Sequence, residues 1–163
     1  MDMRTVGRLE RVLLTLMFEC GFVKYSPEPI TLKSGKVSHV YVFGRNDLTE
    51  NPHLMHAVAR EIIHAVRLAA GEDPRSPCLI GIPTAVTSLA NWAAAIDYME
   101  PESFGRNNMR RPPICSRTMR EKKKKHGAHH RWVDGAADTE RHLYCIVDNV
   151  VTDGQSKVET AER

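Results

Sequence analysis

Three short apolar runs constrain this chain more than any other feature. Cys78-Leu-Ile-Gly-Ile82 is too short for a helix, is bounded by Pro77 and Pro83, and leads into a helix-like run from Ala85 to Ile96. Ile114 to Met119 reads as a second buried strand. His142-Leu-Tyr-Cys-Ile-Val147 reads as a third, passing through a glycine-containing turn into a helix start over Gln155 to Arg163. Strands alternating with helices predict an α/β fold with a parallel sheet, flanked by helices and joined by right-handed crossovers. A parallel core usually has about five or six strands. The expectation is therefore a core incomplete at its C-terminal end, either a fragment or a fold completed by a partner.

The residues before this core predict a small separate cap. Val6, Leu9, Leu13, Leu16, Met17 and Cys20 recur at helical spacing, and Gly21 supplies a stop, so a helix is expected over roughly residues 4–20. Extended segments come next at 28–33 and 37–43, with Ser34-Gly35 as the turn of a hairpin. Asn51 is a good N-cap and Pro52 suits the first helical position. Leu54, Met55, Val58, Ile62, Ala65 and Val66 then form an apolar face that ends near Gly71. The expected organisation is one domain over residues 1–163, with a hood over 1–50 and the α/β core over 51–163.

With 42% hydrophobic and 26% charged residues, the 163-residue chain is no disordered polyelectrolyte. Cys20, Cys78, Cys115 and Cys145 are scattered without metal-binding or Cys-x-x-Cys spacing, which predicts reduced thiols and a cytoplasmic setting. The N-terminus has no apolar leader, and no apolar run approaches a membrane span, so no membrane partner is expected. The net charge of +3 is unevenly placed. Ten Lys and Arg residues fall between Arg106 and Arg131, opposed there only by Glu121. Such a density attracts phosphate, whether on a small molecule or on a nucleic acid.

The chemistry concentrates in Ile146-Val-Asp-Asn-Val-Val-Thr-Asp-Gly-Gln-Ser156. The apolar strand delivers Asp148 to its C-terminal end, where open parallel sheets bind ligands, and a carboxylate there would accept hydrogen bonds from vicinal ribose hydroxyls. Thr152, Asp153, Gly154, Gln155 and Ser156 offer hydroxyls and backbone N–H groups around a helix start, an anion cradle that Gly154 keeps open. The plainer alternative is a tight turn with a polar helix cap. Neither a P-loop nor a dinucleotide-binding glycine pattern is present. His129 and His130 lack a third ligand at suitable spacing, and Trp132 fits packing better than base stacking.

The segment resembles the phosphoribosyl pyrophosphate (PRPP) motif of type I phosphoribosyltransferases: an apolar strand, two acidic residues, two apolar residues, Thr, a variable residue and Gly. Three companions resemble the orotate phosphoribosyltransferase family in particular. They are Thr31-Leu-Lys-Ser-Gly-Lys-Val-Ser38 with Tyr41, Gly81-Ile-Pro-Thr-Ala-Val-Thr-Ser-Leu-Ala90, and the basic stretch Arg120 to Gly127. The four occur in the family's order and cover nearly all of the chain.

The resemblance implies a type I phosphoribosyltransferase-like sheet with an N-terminal hood. It also implies transfer of phosphoribosyl from PRPP to orotate, giving orotidine 5′-monophosphate and diphosphate in pyrimidine synthesis. It places PRPP against Lys33, Thr84, Ala85, Arg120, Lys124, His126, Asp148, Asn149, Val150, Val151, Thr152, Asp153, Gly154, Gln155 and Ser156. Orotate falls beside Tyr41, Val42 and Thr152, and the catalytic positions are Lys124, His126, Asp148 and Asn149. Mg²⁺ is implied on PRPP oxygens rather than in a cage of side chains, and a homodimer is implied, with nucleic acid an unlikely partner. The chain departs from the family pattern in five places. Asn149 stands where a second carboxylate is usual, Glu121 replaces a Lys, His129-His130-Arg131-Trp132 replaces a region more often small or glycine-rich, Thr84-Ala85 lacks a basic residue, and the C-terminal Arg that meets orotate has no counterpart. These departures keep three alternatives open: a non-catalytic PRPP- or nucleotide-sensing regulator, a nucleic-acid-binding homologue, and an enzyme using another base.

Overall fold

A computed structural model describes residues 8–32, 35–42, 46–83, 86–100, 111–120, 122, 133–135, 137–149 and 155–162. The chain divides into two compact units, Met1–Val58 and Ala59–Arg163.

In the first unit, α1 (Arg8–Glu19) turns its Leu13, Leu16 and Met17 inward, as their spacing predicts, and leaves Val12, Leu14 and Phe18 exposed. Gly21, with φ of 73°, turns the chain into β1 (Val23–Thr31), which pairs antiparallel with β2 (Val37–Val42). At the hairpin turn, Gly35 takes φ of 78° while its N–H donates to Leu32 O, and Leu32 N–H donates to Lys36 O. A side chain at that φ would be strained, which is why a glycine stands there. β1 starts five residues before the expected 28. Pro27 and Pro29 hid this, because proline cannot donate to a ladder and reads as a strand breaker. The ladder accommodates them by a register shift between Tyr25 and Ile30. His39 closes the gap: its Nδ1, carrying the proton, donates to Ser26 O at 2.9 Å, and its ring stacks on Tyr25.

A short helix, α2 (Asn46–Glu50), precedes α3 (Pro52–Ala70). Asn51 caps α3 as expected, its Oδ1 accepting from Leu54 N–H at 3.0 Å, while its amide nitrogen donates to Cys20 Sγ at 2.8 Å. Asn51→Ala is expected to lower the unfolding free energy by about 1 kcal/mol in urea titrations. Asn51→Ser, which keeps an oxygen cap, should recover most of that loss.

The second unit is built on a parallel sheet of β3 (Ser76–Gly81), β4 (Cys115–Thr118) and β5 (His142–Val147), in the order β4-β3-β5. The central strand is buried from Pro77 to Gly81, as its unbroken apolar run predicts. Helix α4 (Thr87–Met99) packs on β3 and β4 through Leu89, Ala90, Ala93 and Ile96. In α3 the buried residues of this unit are Ala59, Ile63 and Arg67, not the expected Ile62 and Ala65. The stripe is rotated because Arg67 lies on it. Its guanidinium grips the fully buried Asp97 of α4 at 2.7 and 2.8 Å and donates to Pro112 O, while Asp97 also accepts from Ile114 N–H at 2.9 Å. One buried ion pair thus ties α3, α4 and the entry to β4 together. Helix α5 (Gln155–Ala161) packs on β5.

Candidate functional site

Parallel pairing brings the C-terminal ends of all three strands to one level: Gly81 pairs with Thr118 on one side and Val147 on the other. Each strand runs into residues already singled out by their sequence pattern. Ile82-Pro83 leads from β3 towards Thr84 and Ala85, Arg120 stands just past β4, and Asp148-Asn149 leaves β5. Ile82 N–H donates to Val147 O at 3.0 Å, fastening the turn after β3 beside the residue before Asp148.

Gly81 permits this arrangement. A Cβ there would meet Val86 O at 2.5 Å and Thr87 N at 2.8 Å, both backbone atoms at the start of α4. Gly81→Ala is expected to cost about 1–3 kcal/mol of stability in chemical denaturation, since α4 or the strand must move. An unchanged unfolding midpoint would contradict this close approach.

Asp148 is largely buried, its side chain 12% exposed. Its Oδ1 accepts from Asn149 N–H at 2.9 Å, and its Oδ2 forms an ion pair with Lys157 of α5. Lys157 was not among the residues that the sequence marked. Its signal was slight, a single cation nine positions after Asp148 on a helix with little apolar pattern. Together the two residues make a neutral pair, with the uncharged Asn149 amide alongside.

Arg120 also has a partner that sequence reasoning passed over. It forms an ion pair with Asp134, and Asp134 N–H donates to Thr118 O at 3.0 Å. With the Met119–Val133 bridge, these contacts hold residues 118–120 beside residues 133 and 134. Part of the basic density is therefore matched within the chain: Arg111 approaches Glu72 at 3.5 Å, and Arg117 lies 5.7 Å from the centre of the Tyr144 ring.

Tyr41 and Val42, the expected orotate neighbours, are on β2 of the first unit, Tyr41 exposed and Val42 half-buried. Gln155 and Ser156 open α5. Lys33, Thr84, Ala85, Lys124, His126 and the run Val150, Val151, Thr152, Asp153 and Gly154 lie outside the described residues. Among the described residues no group of three or more His, Cys, Asp or Glu side chains is placed to hold a metal ion, and no helix is long and apolar enough to cross a membrane.

The three-stranded parallel sheet flanked by helices has a phosphoribosyltransferase-type α/β fold. The same fold is seen in the crystal structure of orotate phosphoribosyltransferase from Mycobacterium tuberculosis H37Rv in complex with Fe(III) dicitrate. The two superpose with a TM-score of 0.55 at 19% identity, over 93% of this chain and 73% of that one. No protein-family model and no curated protein matches the chain.

Proposed function

We propose that this chain binds PRPP at the C-terminal ends of β3, β4 and β5 and transfers its phosphoribosyl group to orotate, giving orotidine 5′-monophosphate and diphosphate in pyrimidine synthesis. The observation that carries this reading is the placement of Asp148 at a strand end in a phosphoribosyltransferase-type fold, beside the turn after β3 and at the same end of the sheet as Arg120, which follows β4. Asp148 would orient the ribose through its hydroxyls. As the bond to diphosphate breaks, positive character grows on the ribose and negative charge on the leaving group. Arg120, with Lys33, Lys124 and His126, supplies the cations for that charge. Asp148 is already answered by Lys157 and Asn149 is neutral, so the donor set suits a Mg²⁺ carried on PRPP oxygens better than one held by side chains. Such a cation would help to spread the charge of the departing diphosphate. Tyr41, Val42 and Thr152 are assigned to orotate, and the working form is assigned as a homodimer in the cytoplasm.

A second reading, a PRPP sensor without turnover, is favoured by one feature: among the described residues at the end of β5, Asp148 is paired with Lys157 and its neighbour Asn149 is an amide that cannot act as a base. Measuring orotate absorbance over time with PRPP and Mg²⁺ separates the two. Consumption of orotate that depends on PRPP supports the transferase, and Asn149→Asp should preserve or raise it. PRPP binding with no turnover in either protein supports the sensor.

A further inference from the structure

The N-terminal halves of the same three strands carry a second constellation, level with Tyr144 and His142 and so about 13–20 Å from Asp148 at roughly 3.3 Å per residue along β5. Cys115 opens β4, and Cys78 lies directly opposite it on the central strand. Residues opposite one another share a face of the sheet, as do residues two apart. Ser76 and its partner His142 therefore lie on that face too, whereas Cys145, which pairs with Leu79, points to the other. The Cys115 sulfur stands 3.7 Å from His142 Nδ1 and 4.0 Å from Ser76 Oγ.

The two thiols have different access. Cys78 is fully buried, and burial first, then the Cys115 thiol beside it, pushes its pKa up to about 12. Nothing from solvent reaches it as a thiolate. Cys115 is only partly covered and has an imidazole nitrogen beside its sulfur, the surroundings in which cysteines react. Neighbouring strands stand about 4.8 Å apart, within the roughly 4.4–6.8 Å between Cα atoms that a disulfide spans.

We propose that Cys115 and Cys78 form a peroxide-reactive pair, in which Cys115 is oxidised first and Cys78 resolves it. His142 Nδ1, in the tautomer with its proton on Nε2, takes the Cys115 proton. The thiolate attacks one oxygen of hydrogen peroxide, the O–O bond breaks, and the departing hydroxide leaves as water with the proton from His142. Cys115 is then a sulfenic acid. The Cys78 sulfur attacks it, the S–O bond breaks, and the Cys78 proton leaves with that hydroxide as a second water. Each sulfur loses one electron to the new S–S bond, and the peroxide gains two.

The test is to treat the folded chain with hydrogen peroxide, quench it, titrate the remaining thiols and map the cross-linked peptides. Two of the four thiols should disappear into a single Cys78–Cys115 linkage. Cys78→Ser should leave a Cys115 sulfenic acid that dimedone traps, Cys115→Ser should protect Cys78, and Cys145→Ser should change nothing. His142→Ala should slow the reaction by about ten-fold or more, and added imidazole should restore much of the rate. A merely structural histidine would not give that chemical rescue. Retention of all four thiols, or oxidation at Cys20 or Cys145 with Cys115 intact, overturns the proposal; both outcomes are read on the unmutated chain.

Discussion

Replacing Asp97 with alanine is expected to lower the unfolding free energy by about 3–5 kcal/mol, the usual consequence of removing one member of a buried ion pair. The cause is what remains behind. Arg67 is 7% exposed, and without the carboxylate its charge stays desolvated and without its main partner, while Ile114 N–H loses its acceptor. Arg67→Met in the intact chain should destabilise by a similar amount, because Asp97 is fully buried. The double variant Arg67→Met/Asp97→Leu should recover much of either loss, since well-packed apolar replacements often match a buried pair. Urea unfolding of the four proteins reads these differences directly. A cost under about 1 kcal/mol for Asp97→Ala would mean that the carboxylate is not the anchor described.

Asp148→Ala is expected to weaken PRPP binding by about a hundred-fold or more, measured by calorimetry with Mg²⁺ present. Two hydrogen bonds from ribose hydroxyls to a carboxylate are worth about 3–6 kcal/mol together, and each 1.4 kcal/mol is a factor of ten. The variant also removes a negative charge from beside the Lys157 ammonium, making the end of β5 more cationic. That added charge would attract phosphate non-specifically, so inorganic phosphate is the control: its affinity should rise while that of PRPP falls. Wild-type affinity for PRPP in Asp148→Ala would remove the strand-end site from consideration.

Features whose signal is local were legible in the sequence. Asn51-Pro52 and Gly71 delimit α3, the spacing of Leu13, Leu16 and Met17 gives the inward face of α1, and the apolar runs give β3 and β5. What escaped depends on partners far along the chain. Arg67 reads as a surface residue until Asp97, thirty positions away, is brought to it. Pro27 and Pro29 argue against a strand until a hairpin tolerates a shifted register. The candidate site divides in the same way. Asp148 could be placed from the strand before it, whereas Lys157 and Asp134 matter only through the carboxylate and guanidinium they meet.

The proline-bearing strand also bears on how this protein behaves when crowded. A two-stranded hairpin with exposed Tyr25, Val37 and Val40 is the sort of surface onto which another chain can add a strand. β1 is a poor template for that addition. Two of its nine residues have no N–H to offer, its register shifts midway, and Lys24 and Glu28 place charge along it. Pro27 and Pro29, which made the strand hard to read, also make it hard to extend, so the β1 edge of the hairpin resists adding a strand from another chain.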